Sequence, residues 1–181
     1  VMSLTVLTIP QSRVSFPSLT SVRPGEVAVG NFSMKAGERA SGGAGVVGKD
    51  PGVAQAGDGG DAAPAQTTAD DIVAAGGKAI ANFANVADPK EAVSIIEDAV
   101  ARFGRIDAVV NNAGILRDTI WHKMSYEDWK SVIEVNLTGV FNVSKAATPY
   151  FREQQSGSFV HFTSTSGLIG NLGQANYSAA K

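Results

Sequence analysis

Tyr177 and Lys181 stand four positions apart in Tyr177-Ser178-Ala179-Ala180-Lys181, and Ser164 lies upstream of them. On a helix, residues four apart share a face, so an ammonium can rest beside a phenol. A free phenol titrates near about 10, and an adjacent cation favours its ionised form. Such a pair can give a proton to an oxygen, or take one from it. A hydroxyl such as that of Ser164 can hydrogen-bond the same oxygen from the opposite side. The chemistry open to this set is interconversion of a carbonyl and an alcohol, with Tyr177 carrying the proton as hydride arrives or leaves. Thr163, Thr165 and Ser166 are neighbouring hydroxyls that compete with Ser164 for its role. A tyrosine and a lysine four apart also describe an ordinary surface pair, so the surrounding elements must decide.

Those elements alternate. The chain divides by composition near residue 43. Residues 1–43 hold scattered Ser, Thr and Pro with no sustained period and are expected to be weakly folded or extended. Residues 44–181 read as one α/β domain, beginning with a strand at Ala44 to Val47 and a Gly- and Asp-rich loop from Pro51 to Pro64. Thr67 or Thr68 caps a predicted helix that runs to Ala75 and ends at Gly76-Gly77, and Lys78 to Phe83 follows as a strand. Asp88-Pro89 opens the next helix, with Val93, Ile96, Val100 and Phe103 on its apolar face and Gly104 at its end. Ile106 to Val110 has the continuous apolar character of a strand buried on both faces. Ser125 begins a long helix to about Glu153, with Glu127 and Asp128 at the positive end of its dipole. Ser158 to Phe162 is a strand, Thr163 to Gly173 a loop, and a helix starts at Gln174. The alternation predicts a right-handed, parallel, doubly wound Rossmann-like sheet, with ligands outside the carboxyl ends of its strands.

Asn136 falls on the apolar stripe of the long helix, among Trp129, Val132, Ile133 and Val140. A buried amide needs partners, so it should bind backbone or a trapped water. A structural role and a catalytic one are equally open from periodicity alone.

In order and spacing, Asn111-Asn112-Ala113-Gly114 after an apolar strand, Asn136, Ser164, Tyr177 and Lys181 resemble the short-chain dehydrogenase/reductase family, from about Ala44 to Lys181. The resemblance implies an NAD(P)-dependent oxidoreductase. Tyr177 would be its general acid/base, Lys181 the cation that favours the phenolate and binds the nicotinamide ribose, Ser164 the polarising group, and Asn136 the holder of a proton-relay water. Asp50 resembles the acidic residue that accepts from the adenosine ribose, which would repel a 2′-phosphate and favour NAD over NADP. As a loop acid Asp50 can also be a solvated turn residue. Asn85-Val86 stands where many relatives carry Asp-Val against the adenine, and Asn111, Ala113 and Gly114 would line the cofactor. Asn111 to Asp118, Gly170 to Lys181 and Gly59 to Pro64 look most like hydroxyacyl-thioester dehydrogenases of multifunctional beta-oxidation enzymes, and a 3-oxoacyl reductase is the nearest alternative. The implied substrate is a small alcohol or ketone, acyl-CoA included, and the implied assembly a homo-oligomer.

The family's first strand and Thr-Gly-x-x-x-Gly-x-Gly turn should precede Asp50 and are not recognisable there. Gly43 to Gly48 fits Gly-x-Gly-x-x-Gly, but Lys49-Asp50-Pro51-Gly52 follows in place of a helix, so the match reads as spurious. The domain is therefore expected to be incomplete at both ends and poorly active, and a non-catalytic fragment or dimerisation partner is the competing reading. A net charge of -2 with no basic tract excludes nucleic acid and anionic membrane as predicted partners. No apolar run is long enough to span a bilayer, and the lack of Cys removes thiolate chemistry and disulfides. No metal is predicted. Cytoplasm is the expected compartment, with the peroxisome or another organelle left open. Asn31, Asn136 and Asn142 fit the glycosylation pattern and read as coincidental matches.

Overall fold

The structure, a computed structural model, describes residues 4–8, 45–49 and 63–181, with side chains from 65 onward. Its elements in chain order are β1 (Leu4–Thr8), β2 (Gly45–Lys49), α1 (Ala63–Ala74), β3 (Lys78–Asn82), α2 (Pro89–Phe103), β4 (Ala108–Asn111), α3 (Tyr126–Ile133), α4 (Gly139–Gln154), β5 (Ser158–His161), α5 (Thr165–Ile169) and α6 (Ala175–Ala180). The five strands form one sheet in the order β3-β2-β1-β4-β5. β2 and β3 run parallel, as do β4 and β5, while β1 is antiparallel to both of its neighbours. Four strands therefore point one way and the central one points the other.

That central strand departs from the fully parallel sheet expected. Its register sets Val6 opposite Val47 on one side and Val109 on the other. Either strand direction can close the main-chain ladders of both neighbours, so pairing alone does not dictate polarity. The glycine match is resolved too: Gly45 and Gly48 lie within β2, on a strand rather than on a turn that opens a helix.

Helices cover both faces, as a doubly wound sheet requires. Successive residues of β4 point to opposite sides. Val109 joins Ile95, Ile96, Ile106, Val143 and Ala147 under α2 and α4. Ala108 and Val110 pack with Ile72, Ala79 and Phe162 on the other side. A third cluster, of Ile115, Val132, Tyr177 and Ala180, joins α3 to α6.

Local signals explain most boundaries. The Asp88 carboxylate accepts from the N–H groups of Lys90 and Glu91, an N-cap that holds its carboxyl below the usual range, and Gly104 closes α2 at φ 82°. α1 begins at Ala63, ahead of Thr67 and Thr68, because Pro64 suits a first helical turn. The predicted long helix is divided: Ser125 caps α3, and a π-helical turn, Glu134–Thr138, separates α3 from α4. Such turns are uncommon and are frequent at functional sites. The predicted loop after β5 contains α5, capped by Ser164. No described helix is long and apolar enough to cross a membrane.

Candidate active site

β4 and β5 end side by side, and the segments that leave their carboxyl ends carry the candidate residues. Phe162 N–H donates to Asn111 O, which holds the two exits together. Within that opening the Asn111 side chain is buried, its Nδ2 lying 3.1 Å from both Ser144 Oγ and His161 Nδ1. Asn111 thus joins β4, α4 and β5. Ala113 is in the core, and Gly114 lies against Asn136, where a Cβ would stand 3.3 Å from Oδ1.

Asn136, the middle residue of the π-helical turn, is 2% exposed. Its Oδ1 accepts from Ile115 N–H at 2.8 Å, and its Nδ2 donates to Ile115 O at 3.0 Å. The buried amide has backbone partners, as its place on the apolar stripe required, and it pins the segment after Gly114 to the helix.

Tyr177 lies on α6, and its ring is buried with Ile115 and Val132. Among the described residues its hydroxyl has no hydrogen-bond partner. Lys181 Nζ lies 6.0 Å from the centroid of that ring and donates to Phe162 O at 3.1 Å. Burial lowers the lysine's pKa below 10.5. An ammonium can donate three hydrogen bonds, and Phe162 O is its one partner among the described residues. Ser164 Oγ accepts from Ser166 N–H at 3.2 Å as the cap of α5, which leaves its own proton to donate.

Two of the three rival hydroxyls are engaged elsewhere, and Thr165 is exposed at the start of α5. Thr163 Oγ1 donates to Lys181 O, and Ser166 Oγ donates to Gln174 Oε1, both at 2.8 Å. Asn85 and Val86 sit apart from this centre, after β3. Asn85 Oδ1 accepts from Ala87 N–H, and Val86 is buried against Gly139 with its carbonyl bound by Asn142 Nδ2 at 3.0 Å. What Val86 can present to a ligand is main chain. Asp50 lies outside the described residues. Asn136 and Asn142 of the glycosylation pattern are both buried. Among the described residues no group of His, Cys, Asp and Glu could hold a metal ion.

Two residues escaped the sequence reading. Gln174 and Asn176 flank the start of the tyrosine helix and are both buried. Their signal was an amide-rich run, Asn171 to Asn176, at a helix start without Ser, Thr or Asp as cap.

The short chain dehydrogenase profile matches residues 54–181. The chain belongs to the short-chain dehydrogenase/reductase family. It is 50% identical over 139 residues to a short-chain type dehydrogenase/reductase of Mycobacterium tuberculosis, which covers 77% of this chain and 49% of that protein. A 3-oxoacyl-[acyl-carrier-protein] reductase of Synechocystis is 51% identical over 111 residues, covering 61% of this chain and 45% of the other. The peroxisomal hydratase-dehydrogenase-epimerase of Neurospora crassa is 46% identical over 139 residues, covering 77% of this chain and 15% of that larger protein. A crystal structure of a short chain dehydrogenase from Mycobacterium avium superposes with a TM-score of 0.66 at 41% identity, over 74% of this chain and 48% of the other. The chain thus spans about half the length, or less, of these relatives.

Proposed function

We propose that the protein is an NAD(P)-dependent oxidoreductase that interconverts a secondary alcohol and a ketone on a 3-hydroxyacyl or 3-oxoacyl thioester. The observation that carries this reading is the buried Tyr177, whose hydroxyl has no partner among the described residues, with the Lys181 ammonium beside its ring. In reduction the Tyr177 hydroxyl gives its proton to the carbonyl oxygen, and in oxidation the phenolate takes it back. Ser164, its lone pair engaged by Ser166 N–H, donates to the same oxygen and polarises the carbonyl. Lys181 stands beside the Tyr177 ring and keeps donors for a ribose hydroxyl. Asn136 has its amide committed to Ile115, so the relay water implied by the family would be held through its main chain.

The residues present fit a nicotinamide cofactor at its nicotinamide half: Lys181 retains donors for ribose hydroxyls beside the Tyr177 ring. Asn111, Ala113 and Gly114 would border it there, Asn85 and Val86 would meet the adenine, and Asp50 the adenosine ribose. Bound, the cofactor supplies or accepts the hydride. Asp50 argues for NAD, since a carboxylate accepts from ribose hydroxyls and repels a phosphate. Asp50→Ala should weaken NAD and relieve the penalty on NADP in a binding titration; two unchanged affinities would make Asp50 a loop residue only.

The thioester substrate is supported by the names of two relatives, a hydratase-dehydrogenase-epimerase and a 3-oxoacyl-[acyl-carrier-protein] reductase. The second favours the reductive direction as an alternative physiological role. The dehydrogenase domain would span 44–181, with β1 joining its sheet from the N-terminal segment, and a second copy would dock on α4, where Phe141 is 59% exposed. Steady-state assays of the full-length protein with hydroxyacyl-CoA, 3-oxoacyl thioesters and simple secondary alcohols test the proposal. Preference for the simple alcohols would remove the thioester, and no turnover on any of them would remove the oxidoreductase.

A further inference from the structure

The helix that carries Tyr177 begins at Ala175. Gln174 occupies its cap, yet the side chain makes no bond to the helix's own N–H groups and reaches outward instead. Oε1 accepts from Ser166 Oγ at 2.8 Å and from Asn171 Nδ2 at 3.0 Å, and Nε2 donates to Asp118 Oδ2 at 2.8 Å. One amide, 8% exposed, thereby joins the tyrosine helix, α5 and the segment after β4. The Asp118 bond is charge-assisted and is the strongest type of the three. Asn176, fully buried, adds bonds from Nδ2 to Arg117 O at 3.0 Å and Asp128 O at 3.2 Å, while its Oδ1 accepts Tyr177 N–H.

These bonds converge on residues 115–119, to which the rest of the site is also tied. Ile115 takes both bonds of the Asn136 amide, and Thr119 N–H donates to Gly173 O at 2.8 Å. Ser166, on the far side of Gln174, is the donor that Ser164 caps.

We propose that Gln174 is a positioning residue: with Asn176 it clamps the tyrosine helix to residues 115–119, so that Tyr177, Ser164 and Asn136 are held in register as one unit. This rests on the catalytic reading of Tyr177. Displacement of a reacting group by about 1 Å can cost on the order of 100-fold in rate, so a loosened clamp acts on turnover more than on substrate affinity.

Gln174→Ala and Gln174→Glu in the full-length protein test it. With Gln174→Ala, kcat should fall by roughly 10-fold or more with KM nearly unchanged. Amide hydrogen exchange should quicken in 115–119 and 175–181 and stay as it was in α2. Gln174→Glu separates positioning from mere loss of structure. A protonated Glu can still donate to Asp118 and accept from Ser166, whereas its carboxylate opposes Asp118. Of the charged groups around it, Asp118 is the one in hydrogen-bond contact; Arg117 adjoins it, α3 brings Glu127, Asp128 and Lys130, and α5 carries none. The Glu variant should therefore be near normal at low pH and gain a descending limb as pH rises, absent from the native protein and from Gln174→Ala. Unchanged kcat and exchange in both variants would overturn the clamp, and so would an equal loss for Gln174→Glu at every pH. Should Gln174→Ala fail to fold, the pH comparison on Gln174→Glu decides alone. If the native protein turned over no substrate, the proposed function would fall, while the exchange comparison would still judge the clamp.

Discussion

Replacing Asn136 should destabilise the protein by an amount its two hydrogen bonds set. The amide is 2% exposed and Ile115 is 6% exposed, so little water reaches either. Alanine at 136 strands a buried N–H and a buried C=O of Ile115, at about 1–3 kcal/mol for each group left without a partner. Water entering the vacated space offsets part of this, so we expect a loss of about 2–4 kcal/mol. Aspartate is the sharper probe. Protonated, it keeps the acceptor for Ile115 N–H and an O–H for Ile115 O; ionised, it sets a buried carboxylate against a carbonyl 3.0 Å away. Its folded-state pKa must then lie above the free value of about 3.9. Between those values the folded state binds more protons than the unfolded one, so stability is intact below the free pKa and is lost as pH rises through the folded one. Urea denaturation at about pH 5 and about pH 8 would show Asn136→Asp losing stability with pH while Asn136→Ala stays flat relative to the native protein, with unchanged m. A cost under about 1 kcal/mol for Asn136→Ala, or a pH-independent Asn136→Asp, would refute the dry, bidentate contact.

Other substitutions probe the chemistry. Tyr177→Phe keeps the shape of the ring and removes the transferable proton, so turnover should fall at least about 100-fold, and near-normal rates would exclude the mechanism. Lys181→Met should weaken cofactor binding in a titration, because the ammonium donors open to a ribose are lost; an unchanged affinity would separate Lys181 from the cofactor site. The same variant should also lose the pH dependence of stability that the lysine contributes. The lysine's folded pKa lies below 10.5, so its ammonium disfavours the native state until pH rises through that folded value, and the methionine variant should lack this rise in urea denaturation. Gly167→Ala would bring a Cβ within 2.5 Å of the main-chain carbon of Lys181, so α5 or the end of α6 must shift, and kcat should fall in steady-state assays without a comparable loss in cofactor binding.

Much of this site was written in local order. Tyr177 and Lys181 share a face because helical period demands it, and Asp88-Pro89 and Gly104 bound α2 because capping chemistry is local. The apolar run of β4 identified a strand buried on both faces for the same reason. Asn136 on an apolar stripe announced a buried amide in need of partners, but nothing near it in sequence named Ile115. Tertiary packing alone decided that pairing, the π-helical turn around it, and the bonds that draw off the hydroxyls of Thr163 and Ser166, to Lys181 O and Gln174. The direction of β1 was likewise beyond sequence, since its hydrogen-bonding groups fit neighbours of either polarity and only the three-dimensional route of the chain selects one. Periodicity and capping act within a few residues and can be read along the chain, whereas a hydrogen bond between residues 115 and 136 exists only once the fold has brought them together.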